Sequence, residues 1–168
     1  MRIIAALTIA ASLGAAPTAG PAPVVLAGPS EPGERLAFGG RILDKGKPVV
    51  GATVLAYHTD RTGLYNDPAA NTKTPRLRRT ATTDAAGRFA FSTIRPAPYP
   101  GNEIPAHIHL EINVPGRKVH YVTYWFDDDP IVTPEKAKRD PEVVIVHATR
   151  DASGAWTFSN DVALPAAR

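Results

Sequence analysis

Cysteine is missing altogether from the 168 residues. That excludes thiol nucleophiles, iron–sulfur clusters, thiolate zinc sites and disulfide staples. Stability must then come from a packed core, a bound metal or a partner. Charge of one sign is also scarce. The formal balance is +3, or +2 once Arg2 leaves with a cleaved leader, too small a surplus to point to nucleic acid. Helix signals are poor: the one charged candidate, Pro134 to Asp140, is a turn or two at most. No repeat is visible. No phosphate-cradling glycine loop and no serine–histidine–acid pattern stands above background. Beyond residue 16 no apolar run could cross a membrane.

The N-terminus carries Arg2, then an apolar stretch from Ile3 to Ala16, then small residues through Gly20. This is the pattern of a secretory signal peptide over residues 1–20, and it implies an exported protein, periplasmic or extracellular, with no membrane in the mature form. Residues 21–37 are rich in proline, glycine and alanine and read as a linker or draped arm. One domain is expected over 38–168, of a length that buries about two-thirds of its unfolded surface.

Glycine and proline are plentiful, at 13 and 17 residues. They punctuate short apolar runs, as in an all-β chain. The strand candidates are Phe38–Leu43, Val49–His58, Ala81–Thr83, the alternating stretch around Phe89 and Phe91, Ala106–Val114, Lys118–Phe126, Val143–Ala148 and a last one from Trp156. Two sheets must cover each other's apolar faces, so a two-sheet β-sandwich with long loops is predicted. One such loop spans Thr59 to Thr80 and carries Lys73, Arg76, Arg78 and Arg79. The other spans Arg95 to Pro105 and is stiffened by prolines.

His107-Ile108-His109 is the strongest local feature. In a strand, residues i and i+2 share a face, so two imidazoles project side by side while Ile108 packs the other way. Neutral imidazole is the commonest metal ligand, though a bare His-x-His is often surface decoration. Tyr99 sits between Pro98 and Pro100, and Tyr65 closes Thr62-Gly63-Leu64-Tyr65. By themselves both tyrosines read as ordinary packing. His58 and His147 read as packing or surface groups, and Asp127-Asp128-Asp129 as a solvated loop.

Taken in order, these blocks carry a resemblance. Gly46-Lys47-Pro48-Val49-Val50-Gly51-Ala52, Ala56-Tyr57-His58-Thr59-Asp60 leading to Gly63-Leu64-Tyr65, Thr83-Asp84, Gly87 through Pro96 running into Pro98-Tyr99-Pro100, Pro105-Ala106-His107-Ile108-His109, and Phe126 with Asp129-Pro130 resemble the intradiol ring-cleavage dioxygenases. The resemblance covers residues 39–162 and is to the smaller exported members. It implies an Fe(III) cofactor held by Tyr65, Tyr99, His107 and His109, with Tyr65 and His107 equatorial and Tyr99 and His109 axial. It implies a catecholic small molecule and O₂ as substrates, with Tyr99 displaced when the catechol binds, and a cis,cis-muconate-type diacid as product. It leaves a homo-oligomer open.

Three positions depart from the family pattern. Ile104 stands where the family has an arginine, Thr123 where it often has a glutamine, and Tyr57 where a tryptophan is usual. Thr123 therefore joins Tyr99 as a candidate catalytic residue. Arg79, with Arg78 and Arg95 as further candidates, is expected to supply the missing cation. Two other readings stay open: an iron- or phenol-binding sandwich without turnover, and a transthyretin-like interaction module.

Overall fold

The computed structural model describes residues 20–69, 72–101 and 104–166. The leader expected over residues 1–20 therefore lies almost wholly outside the described residues. In chain order the strands are β1 (Val24–Val25), β2 (Arg35–Asp44), β3 (Lys47–Pro48), β4 (Thr53–His58), β5 (Arg78–Thr82), β6 (Arg88–Ile94), β7 (His107–Asn113), β8 (His120–Phe126), β9 (Val143–Val146), β10 (Thr149–Arg150), β11 (Trp156–Ser159) and β12 (Val162–Ala163). One short helix, α1 (Pro134–Ala137), lies between β8 and β9. Thr133 caps it by accepting from the Lys136 amide at 3.2 Å. Among the described residues no helix is long and apolar enough to cross a membrane.

Two sheets result. The seven-stranded sheet runs β1-β6-β2-β11-β10, with β3 and β12 also pairing to β2; the five-stranded sheet runs β5-β4-β7-β8-β9. Every neighbouring pair in the smaller sheet is antiparallel except β8 with β9. That parallel pair needs a crossover, and the segment carrying α1 supplies it.

Alternation explains the layering. Along β4 the buried residues are Val54, Ala56 and His58, and along β6 they include Phe89 and Phe91. Phe38 stacks on Phe91 at 5.2 Å and on Phe158 at 5.3 Å within the larger sheet. Across the gap Tyr124 meets Phe158 edge-on at 5.3 Å, and Phe126 does so at 5.9 Å. Aromatic pairs favour such offset and edge geometries.

Four details differ from the sequence reading. Arg78, Arg79 and Thr80, read as the end of the loop from Thr59, belong to β5. The apolar core begins before Phe38: Leu26, Ala27 and Leu36 are buried, and β1 adds to the edge of β6 with Val24 opposite Phe91. The stretch read as one strand from Val49 is broken at Gly51, whose φ of 75° turns the chain before β4; a positive φ suits glycine alone at no steric cost. Asp129, read as solvated loop, accepts from the backbone of Ala106 at 2.9 Å and of Ile131 at 3.0 Å. It thereby fixes the start of β7, one residue before His107.

Candidate metal centre

The outer face of the five-stranded sheet carries the site. On β7, Ile108, Leu110 and Ile112 point into the core, so His107, His109 and Glu111 point outward by the two-residue period. The two imidazoles lie 4.6 Å apart, centroid to centroid, at 81° to one another. Tyr57 is opposite His109 on β4, and Thr123 is opposite it on β8. The Tyr57 ring stacks on His109 at 4.8 Å.

The phenols arrive from the two long loops. The Tyr65 and Tyr99 hydroxyls are 2.7 Å apart, and the Tyr65 oxygen is 3.4 Å from His107 Nε2. The Tyr99 ring meets His107 edge-on at 5.0 Å. The loops are pressed together at Gly63. Its φ is 80°, and a Cβ there would stand 2.1 Å from the Pro98 carbonyl oxygen. Any side chain at 63 would push the Pro98-Tyr99-Pro100 segment away.

Hydrogen bonding sets the imidazole tautomers. His107 Nδ1 lies 2.7 Å from the Pro105 carbonyl, which can only accept, so Nδ1 carries the proton and Nε2 keeps its lone pair toward Tyr65. His109 Nδ1 lies 3.2 Å from Thr123 Oγ1; a proton donated there leaves Nε2 as the free lone pair. A partner on the distal nitrogen is the usual way a ligating imidazole is oriented. Burial pushes His109 down to about 4, with His107 adding repulsion. Burial also lowers His107. Both rings are therefore neutral at pH 7. Burial first, and then the bond to Tyr99, hold the Tyr65 phenol far above its ordinary value. Burial also raises Tyr57, so that phenol stays protonated.

This donor set fits a hard, highly charged cation. His107 Nε2 turns its lone pair toward the Tyr65 hydroxyl at 3.4 Å, and the two phenols place one hydrogen-bonded proton between their oxygens, 2.7 Å apart. A cation in the proton's place makes phenolates favourable where burial alone opposes them. Among the described residues no three His, Cys, Asp or Glu side chains gather as ligands, so nothing there supplies a carboxylate facial triad. Oxygen and imidazole donors with a phenolate pair suit Fe(III).

The arginines sort by strand parity. Arg78 is opposite Tyr57, whereas Arg79 is opposite the buried Ala56. Arg78 thus shares the face of the imidazoles and lines an open bay of about 380 Å³ with Tyr57, Tyr65, Lys73, Pro75, His109 and Glu111. Arg79 sits on the opposite face and bonds the Arg78 carbonyl at 2.7 Å. Arg79, expected to serve the site, is thus placed on the face away from the imidazoles. Arg95 is engaged elsewhere: it pairs with Asp128 and lies over the Phe126 and Trp156 rings, 4.5 Å from each. Ile104 is exposed. Of the residues singled out in the sequence, Tyr65, Tyr99, His107, His109 and Thr123 are brought together. Tyr57, a departure from the family pattern, stacks on His109 and so forms part of the wall.

A family model described as Dioxygenase matches residues 15–164. The chain belongs to the intradiol ring-cleavage dioxygenase family. Among the curated relatives of this chain is catechol 1,2-dioxygenase 2 of Acinetobacter lwoffii, 29% identical over 158 residues, covering 78% of this chain and 56% of that protein. Another is the chlorocatechol 1,2-dioxygenase of Pseudomonas sp. (strain P51), 26% identical, covering 74% of this chain and 56% of that protein. The chain spans about half the length of these curated relatives. Among solved structures, the dioxygenase domain of a dioxygenase carbohydrate-binding protein fusion from Streptomyces sp. SirexAA-E superposes with a TM-score of 0.67 at 25% identity, covering 89% of this chain and 91% of that one.

Proposed function

We propose that this chain cleaves a catechol-type aromatic between its two hydroxylated carbons, consuming O₂ and yielding a cis,cis-muconate-type diacid. Tyr65, Tyr99, His107 and His109 would hold the ferric ion. The observation that carries the reading is the 2.7 Å approach of two loop phenols beside two outward imidazoles of one strand, in a chain of this family. A bound Fe(III) would supply the Lewis acidity that draws both catechol oxygens into the phenolate form and readies the ring for O₂.

The chain's own groups have separable tasks. The Pro105 carbonyl and Thr123 Oγ1 hold the imidazoles with Nε2 outward. Tyr99 stands on a proline-flanked loop; held as a phenolate in the metal-loaded protein, its oxygen would take the proton that a catechol hydroxyl gives up on binding and become the neutral phenol. The Tyr57 ring walls one side of His109. The bay beside them, with Lys73 and Arg78 on its rim, receives the substrate and stays open to water.

The test is O₂ uptake by iron-loaded protein with catechol, hydroxyquinol and protocatechuate, read against diacid absorbance. One O₂ consumed per diacid formed supports the reading; no uptake with any of them overturns it. A second reading, iron or phenol binding without turnover, is favoured by Ile104 at the arginine position and by Arg79 on the far face. It expects a coloured, catechol-binding protein that forms no diacid. We also propose export through a leader over residues 1–20, which N-terminal sequencing of protein recovered outside the cytoplasm would check.

A further inference from the structure

Among the described residues the Arg76 side chain bonds none of the four donor side chains, yet three chain segments meet on this residue. Its backbone amide donates to the Tyr65 carbonyl at 3.1 Å. Its guanidinium forks onto Glu31, Nη1 to Oε2 at 2.6 Å and Nη2 to Oε1 at 2.7 Å. The same Nη2 reaches Asp60 Oδ2 at 3.1 Å. The Glu31 and Asp60 side chains are only 15% and 16% exposed, so one guanidinium serves two poorly solvated carboxylates. The planar fork suits arginine and not lysine.

What Asp60 does with its other oxygen ties this pair to the phenols. Oδ1 accepts from the Thr62 amide at 2.8 Å, the Thr62 hydroxyl at 2.6 Å and the Leu64 amide at 3.2 Å. It therefore shapes the turn that ends in Tyr65. That turn is stitched to the segment leading to Tyr99: the Ala97 amide donates to the Asp60 carbonyl at 3.1 Å, and Thr59 Oγ1 donates to the Ala97 carbonyl at 2.8 Å. Glu31 is itself anchored. Its amide donates to the Gly28 carbonyl at 3.1 Å, Arg35 donates to the carbonyls of Gly28 and Glu31, and the neighbouring Leu26 and Ala27 are buried.

We propose that Arg76 is a positioning residue for the metal centre and Glu31 its anchor: together they set the separation of the Tyr65 and Tyr99 oxygens from outside the site. The segment ahead of β2 is thereby a working part of the centre. This rests on the metal-site reading above, and its test separates the two.

The variants are Glu31→Gln, Arg76→Gln and Arg76→Lys. The control is Glu34→Gln, which disturbs the same arm where it pairs with Arg150 and Trp156. Two quantities are read: the Fe(III) dissociation constant by chelator competition, and amide hydrogen exchange at Leu64 and Ala97 in metal-free protein. Glu31→Gln and Arg76→Gln are expected to weaken iron binding about tenfold, the usual scale for groups that orient ligands, and to speed both amides about tenfold. Arg76→Lys should fall between them and wild type, and Glu34→Gln should stay within about twofold of wild type. Values within about twofold of wild type in Glu31→Gln and Arg76→Gln, or equal losses in Glu34→Gln, overturn the proposal. If wild type takes up no iron, the metal reading fails, and the exchange rates alone decide the positioning role.

Discussion

The two faces of the five-stranded sheet are made by the same strands, and they do different work. Inward, β4, β7 and β8 present Val54, Ala56, Ile108, Leu110, Ile112, Val122, Tyr124 and Phe126, all buried. Outward, they present Tyr57, His107, His109, Thr123 and Trp125, in pairs set by the same register. One residue of displacement separates a packing position from a chemical one. The core therefore supplies rigidity to a site it does not share atoms with. Side chains on the outer face are expected to be exchangeable at little cost to the fold, whereas lost volume on the inner face costs stability.

The sharpest way to break this contrast is His109→Ala. It should remove iron binding and the visible absorption that goes with it, while apo-protein melting shifts by no more than about 4 °C. Loss of folding on that scale expected of a core change would show that the faces are not independent. The converse is Ile108→Ala, one residue away. Urea unfolding should show a loss of about 2–5 kcal/mol with the iron-to-protein ratio of the surviving folded protein unchanged.

Acid tests the inner face in a third way. His58 is fully buried, with Nδ1 2.6 Å from the Thr59 carbonyl and Nε2 2.7 Å from Thr93 Oγ1. Burial pushes it down to about 4 from an ordinary 6.5. The unfolded chain thus takes up a proton at higher pH than the folded one does. The stability from keeping His58 neutral is complete above pH 6.5 and drains away as pH falls toward 4. It amounts to on the order of 3 kcal/mol for this residue, and a urea midpoint that stays flat from pH 7 to 4 would contradict it.

Smaller effects sharpen the comparison. Thr123→Val keeps the volume but strands His109 Nδ1, so chelator competition should show roughly tenfold weaker iron binding with little change in melting. Tyr124→Phe removes a buried hydroxyl that has no hydrogen-bond partner among the described residues. It should leave stability unchanged or raise it by up to about 1 kcal/mol in urea unfolding.

Much of this was legible in the chain, for unequal reasons. Period-two alternation around Phe89 and Phe91 marks a half-buried strand wherever it occurs. His107-Ile108-His109 names its own outward face once it is placed on a strand. Tyr65 and Tyr99 stand on loops whose approach no periodicity encodes, and only the order of motifs in a resembling family pointed to them. Arg79 could not be placed by type or proximity in sequence, since its face depends on pairing with Ala56 across β4. β1 was hidden in a proline- and glycine-rich stretch because its pairing partner, Phe91, lies far along the chain. Glu31 and Arg76 are 45 residues apart, and neither residue's local context signals the other.

The central claim is that two phenol oxygens and two imidazole nitrogens on the outer face hold one ferric ion. Its most direct test is iron content and visible absorption of the Fe(III)-loaded chain, beside Tyr65→Phe, Tyr99→Phe and the double variant. The account predicts about one iron per chain and a broad wine-red tyrosinate-to-iron band, weakened in each single variant and absent in the double one. A full-strength band in the double variant, or stoichiometric iron without colour in the wild type, would contradict it.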